Sequence, residues 1–198
     1  SLSTDEISAY AAGQVAALTS GQVRGLSTDQ VAVLSTEQVA AIRTTQVSGL
    51  TTAQIVALRS DHASALSTLS VSALSTSQVA AIETEDFAAL AASRLRVLGS
   101  AQIRAVGSDQ LEALSSEQLT GLTSAQVSSL TTSQVFSLDE TDLPGLLTSQ
   151  VAALLTAQVR SMTTDQVSAL TSDQLNRLGS TQLIALSTSG RLRVTTNK

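Results

Sequence analysis

The 198 residues hold 11 Lys and Arg against 16 Asp and Glu, a net charge of −5 with only 14% charged residues, which excludes the basic stripe that nucleic-acid binding requires. Hydrophobic residues reach 42% but aromatics only 2%, so any buried layer is built from Leu, Val, Ile and Ala. Cys is absent, which excludes disulfides and Cys-based metal sites and suits an oxidising exterior, and no apolar run is long enough to cross a membrane.

From Leu2 the chain repeats every eight residues without insertion or deletion, 24 times in all, with an apolar residue opening every copy to Leu186. The unit reads Leu–Ser/Thr–Ser/Thr–x–Gln–Val–x–Ala. So short and strict a period is the mark of a solenoid in which each unit touches only its neighbours. Residues 2–193 are accordingly one array of 24 octads and 194–198 a tail.

Position 1 is large and apolar in all 24 copies, and position 6 in 22, the exceptions being Ala63 and Arg191. Position 7 takes Arg24, Val56, Glu112, Phe136, Pro144 and Asn176, so it faces solvent. Positions 6 and 1 are three apart, which is helical spacing. A continuous helix is impossible, because eight residues turn about 800° and the stripe drifts by about 80° per unit. The helix must restart in every octad. Position 3 is Ser or Thr in 21 copies and position 2 in only 13, so position 3 is the expected N-cap. Nine of the 16 acids lie at position 4, while positions 7 and 8 carry six Arg and one acid, the polarity that a helix dipole selects.

Gln occupies position 5 in 17 copies. A capping box from position 2 explains part of this. Yet Gln46, Gln102 and Gln150 persist where position 2 is Arg43, Gly99 and Leu147. The Gln column is therefore expected to bridge backbone groups of neighbouring repeats through an amide that both donates and accepts. The expected fold is an all-α solenoid of very short helices, one per octad. The alternative is a β-solenoid, favoured by Val and Thr but opposed by Ala at position 8 and by the charge polarity. The number of octads per coil does not follow from the repeat; three is assumed.

In chain order, the pattern first decays at 58–73, with Arg59, His62, Ala63, Leu69 and Ser70. Ser60, Asp61 and His62 hold the residue types of a catalytic triad, but a triad needs a pocket and an orienting third group; drift of a worn repeat is the expected reading. Residues 82–97 depart at Glu83, Asp86, Phe87 and Arg94. In 138–145, Asp139, Glu140 and Asp142 suggest calcium but lack the Gly and downstream Glu of an EF-hand loop, and Pro144 predicts a local kink. Leu147 and Leu155 are extra apolar residues at position 2, a small contact patch or tolerated surface. Residues 190–194 alternate like a short strand. The first octad, Leu2 to Ala9, is already regular, where a finished array normally carries a polar cap; the chain reads as a piece of a longer array.

Leu34-Ser-Thr-Glu-Gln-Val-Ala-Ala41 and Leu154-Leu-Thr-Ala-Gln-Val-Arg-Ser161 resemble the octapeptide arrays of very large secreted or surface proteins of Gram-negative bacteria. The resemblance covers essentially the whole chain and implies an extracellular, adhesin-like setting. Calcium binding belongs to glycine-rich nonapeptide repeats that are absent here, so it does not carry over. The expected role is a non-catalytic spacer or stalk at the cell surface or outside it. Its partners would be neighbouring repeats of a longer parent chain and copies joined through uncapped ends, without nucleic acid or membrane insertion. The alternative is a binding surface for ice, glycan or protein on the regular Ser/Thr face; an enzyme resting on His62 is the remotest. No catalytic, cofactor-binding or metal residue is assigned.

Overall fold

In the computed structural model residues 2–188 are described, and each of the first 23 octads forms one short helical segment: 22 α-helices and one turn of 3-10 helix at Leu143–Gly145. No strand occurs among the described residues, so the fold is the all-α solenoid and not the β-solenoid. Residues 189–198, including the strand-like 190–194 and the tail, lie outside the described part.

The helix starts one residue earlier than expected. In the octad opening at Leu34, Ser35 is extended (φ −79°, ψ 159°) and its hydroxyl accepts the Gln38 N–H at 3.2 Å. In return the Gln38 Oε1 accepts the Ser35 N–H at 2.7 Å. Position 2 is thus the N-cap, and the position-3 hydroxyl sits on the first helical residue. The reason lies in the Gln. Its oxygen asks only for a backbone N–H, which any residue but Pro supplies, so position 2 needs no hydroxyl of its own. Arg43, Gly99 and Leu147 all donate to the Gln three residues on, at 2.7, 2.7 and 2.8 Å. Acids at position 4 therefore fall inside the first turn, where the dipole favours them.

Each helix closes when the N–H of the next position 1 donates to the position-6 carbonyl, as Ile42 does to Val39 at 3.1 Å and Leu50 to Val47 at 3.1 Å. Positions 1 and 2 are then extended, as at Leu122 (φ −66°, ψ 142°) and Thr123 (φ −73°, ψ 155°), and the chain turns into the next helix.

The chain forms two compact units, Ser1–Val106 and Gly107–Lys198. In the first, Thr4–Ser8 packs on Thr28–Ala32, Ala12–Ala17 on Thr36–Ala40, and Ser20–Arg24 on Thr44–Val47. Each helix lies on the third one after it, so a coil is three octads, or 24 residues. In the second, Ser108–Glu112 packs on Thr132–Ser137, Thr148–Ala152 on Ser172–Asn176, and Thr156–Ser161 on Ser180–Thr188, which repeats that spacing. The core is what the octad predicts: position 6 (Val39, Val47, Val71, Val79, Val151 and Val159) is fully buried, and position 1 is buried from Leu34 onward, while Leu2, Tyr10, Leu18 and Leu26 before it are half-buried. A five-residue helix does not persist alone in water, so this packing across coils, not local propensity, holds each one.

Position 8 is small for a reason the octad hides. A Cβ on Gly49 would come within 3.2 Å of the Cβ and carbonyl oxygen of Ser20, a position-3 residue of the coil beneath. The corners of one coil thus rest against the helix starts of another.

Pro144 does not kink a helix. It sits at the start of the 3-10 turn Leu143–Gly145, where no helical N–H is required of it. Leu143 and Leu146 remain buried, so the helical segment shortens while the phase of the octad continues.

Candidate functional site

The polar chemistry of the molecule is concentrated in one feature, the column of position-5 side chains. Gln46 is 1% exposed. Its Oε1 takes the Arg43 N–H of its own helix, while its Nε2 donates to Val15 O at 2.8 Å and Leu18 O at 2.7 Å in the coil beneath. The pattern recurs at Gln54 with Val23 and Leu26, Gln78 with Val47 and Leu50, and Gln150 with Leu119 and Leu122. The expected bridge exists, but it joins octads three and four apart in sequence. The position-1 carbonyl, 28 residues back, is the acceptor that a helix this short leaves open.

Where Gln is replaced, the need for a donor survives. Ser70 donates to Ile42 O at 3.0 Å and Arg94 Nε to Leu66 O at 2.6 Å. His62 is fully buried, and its Nε2 lies 2.8 Å from Leu34 O. Its Nδ1 faces the Arg59 N–H at 3.4 Å. Leu34 O and the Arg59 N–H are served together only by the Nε2–H tautomer, in which the ring reproduces the amide, acceptor toward its own cap and donor toward the coil beneath; the donor-only Arg59 Nη2, 3.0 Å from Nε2, makes no bond to the ring in that tautomer.

Acids at position 5 cannot donate when ionised, and two of them turn elsewhere. Asp86 accepts the Ser60 hydroxyl at 2.7 Å, and Asp142 accepts the Ser116 hydroxyl at 2.6 Å. Both partners are position-3 serines 26 residues earlier. Sequence reasoning missed this pairing. Its signal was an acid at position 5 with Ser at position 3 three octads before, which cannot be read until the coil is known to hold three octads.

The triad residues are not brought together as a triad. Ser60 is bonded to Asp86, Asp61 accepts the His62 N–H at 3.0 Å and pairs with Arg59 at 3.2 Å, and His62 is held in the Gln column. Burial, the main cause, holds the His62 imidazole below its ordinary value. The acidic turn is likewise occupied: Asp139 accepts both the hydroxyl and the N–H of Thr141, and these bonds lower its carboxyl. Among the described residues no group of three or more His, Asp or Glu could hold a metal ion. Leu147 and Leu155 are exposed, together with Phe136 and Ile184.

A small cavity lies beside Asp86, lined by Ile55, Leu58, Ala63, Leu66 and Val71 among others. Its cause is Ala63, which stands at position 6 in place of the usual Val. Ala63→Val is expected to fill it and raise stability by roughly 0.5–1.5 kcal/mol, read as a higher urea midpoint with unchanged slope. A lower midpoint would show that the cavity is too tight for two methyl groups.

The family model of the ALTTAQ repeat matches residues 11–44, 79–116, 108–140, 135–172 and 143–180, more than half of the chain. Its six letters correspond to positions 8 through 5 of the octad, as in Gly49-Leu-Thr-Thr-Ala-Gln54. Comparison with curated proteins finds no significant match.

Proposed function

The chain belongs to the ALTTAQ repeat family, and we propose that it serves as a non-catalytic spacer or stalk segment of a secreted, adhesin-like bacterial surface protein, partnered by further repeats of the same kind. One observation carries this reading. The buried polar side chains of the column are spent on joining coil to coil, as Gln38, Gln46, Gln54 and Gln150 do. A molecule built this way gains length by adding identical units and needs no pocket.

A second reading has its own support. Because position 2 does the capping, position-3 hydroxyls are not consumed by it, and Thr28, Thr52, Thr76 and Ser100 stand exposed at 24-residue intervals on successive coils of the first unit. Such a column suits recognition of a regular ligand such as ice or a glycan.

Deletion tests the repeat architecture, and binding assays separate the readings. Removing one whole octad, residues 50–57, leaves every helix with a partner three octads away, so cooperative melting should persist. Removing residues 50–53 puts position 5 where position 1 was and should abolish it. A spacer tolerates the first change and shows no saturable binding. Ice shaping or glycan-array binding that disappears in T28V/T52V/T76V would replace the spacer reading with the second.

A further inference from the structure

Position 5 is mostly a column of non-titrating amides, and on one side of the first unit's coils two titratable residues replace them in succession. There Gln38, His62 and Asp86 follow one another at 24-residue steps, each on a helix packed against the next: Thr36–Ala40, Ser60–Ala65 and Thr84–Ala88. His62 is fully buried and Asp86 is 7% exposed. We propose that this step is an acid-sensitive joint, in which protonation of the His62 ring opens the packing of Ser60–Ala65 against Thr36–Ala40 while the rungs made by Gln54, Gln78 and Gln102 hold.

The geometry supplies the mechanism. A neutral ring has one N–H and one lone pair, and the site uses both, the first on Leu34 O and the second on the Arg59 N–H. A proton can enter only at Nδ1. It would then point one N–H at another, and the Arg59 amide would lose its acceptor. The Arg59 guanidinium lies 3.0 Å from Nε2, so the new charge also meets a like charge. Gln escapes both effects because its amide does not titrate.

The surrounding charges are few. On its own helix and cap His62 faces Arg59, which opposes its protonation, and Asp61, which favours it but is paired to Arg59 at 3.2 Å. From the helix above, Asp86 also favours the charged ring, but one of its oxygens is bound to the Ser60 hydroxyl at 2.7 Å. Glu83 and Glu85 there, and Glu37 on the helix beneath, are exposed. Burial prevails over the attraction to Leu34 O, Asp61 and Asp86, so the folded imidazole takes its proton at lower pH than the unfolded one. Stability is therefore complete above the unfolded value of 6.5 and drains away as pH falls below it. A small cavity lined by Ala63, Leu66 and Asp86 lies beside this joint.

His62 is the only His in the chain, so its ring resonances report on this site alone. The test follows the ring by NMR and the exchange of the Ala63 and Leu66 amides, corrected for intrinsic rates, between pH 7.5 and 4.5. The intact chain should lose at least tenfold of protection at both amides as the ring titrates. His62→Gln, which restores the consensus rung, should keep its protection across that range. Asp86→Gln removes a charge that favours the protonated ring and should move the transition to lower pH. Equal losses in the intact chain and His62→Gln, or a ring that titrates with the amides still protected, would overturn the proposal.

Discussion

Val39→Asp should cost about 3–5 kcal/mol and leave the first unit without a cooperative transition at ordinary temperature. Val39 is fully buried at position 6 of a helix packed between coils. A carboxylate there finds no donor to spare: the nearby N–H groups are engaged in the helix and its caps, and the Gln38 amide already serves Ile7 O at 2.9 Å and Tyr10 O at 2.7 Å. The side chain must be buried uncompensated, be protonated, or push the coils apart, and each choice consumes free energy comparable to the whole stability of a small domain. Leu122→Asp should act alike in the second unit, where Leu122 is 5% exposed. Arg104→Ala, at an exposed position 7, should stay within about 0.5 kcal/mol. Urea titration measures all three, and comparable losses at Val39 and Arg104 would show the facing assignment to be wrong.

Gln46→Leu should be nearly as damaging although it removes no apolar contact. The substitution keeps the volume but strands two groups, the Arg43 N–H and the Leu18 carbonyl, at roughly 1–3 kcal/mol each. The Val15 carbonyl loses less, because it keeps the Leu18 N–H at 3.1 Å. Gln14→Leu is the control. Gln14 is exposed, and its Oε1 accepts the Ala11 N–H at 2.8 Å, so only an exposed half-box is lost and the cost should fall below about 1 kcal/mol. If the two variants melt alike, the coil-to-coil bonds of the column contribute nothing to stability.

These two predictions mark how differently the parts of the molecule could be read. Apolar residues at 6 and 1 are visible at once, and Val39, Val47 and Leu34 are buried as the spacing demands. The helix-per-octad rhythm also follows, because no helix can keep an eight-residue stripe on one face. The cap was misplaced by one residue. Counting hydroxyls favoured position 3, yet the acceptor that matters is the Gln oxygen, and it binds whatever N–H lies three residues earlier. Position 3 lies instead at the contact between coils in places, as Ser20 under Gly49 and Ser116 under Gly145.

The odd residues were legible as departures but not as partners. His62, Ser70 and Arg94 all break the Gln column, and nothing along the chain says that each still needs to donate to a carbonyl 28 residues back. Likewise Ser60 with Asp86, and Ser116 with Asp142, pair across a spacing that has no meaning in the linear repeat. By itself the sequence determined the period, the helical class, the buried and exposed positions and the polarity of each helix, because these depend on residues within one octad. The tertiary structure alone decided that three octads close a coil, that the Gln amide crosses to the coil beneath, and that His62 stands buried below Asp86. Those facts depend on the angle at which successive helices turn, and that angle is set by how side chains of different coils pack, a contact that no single octad contains.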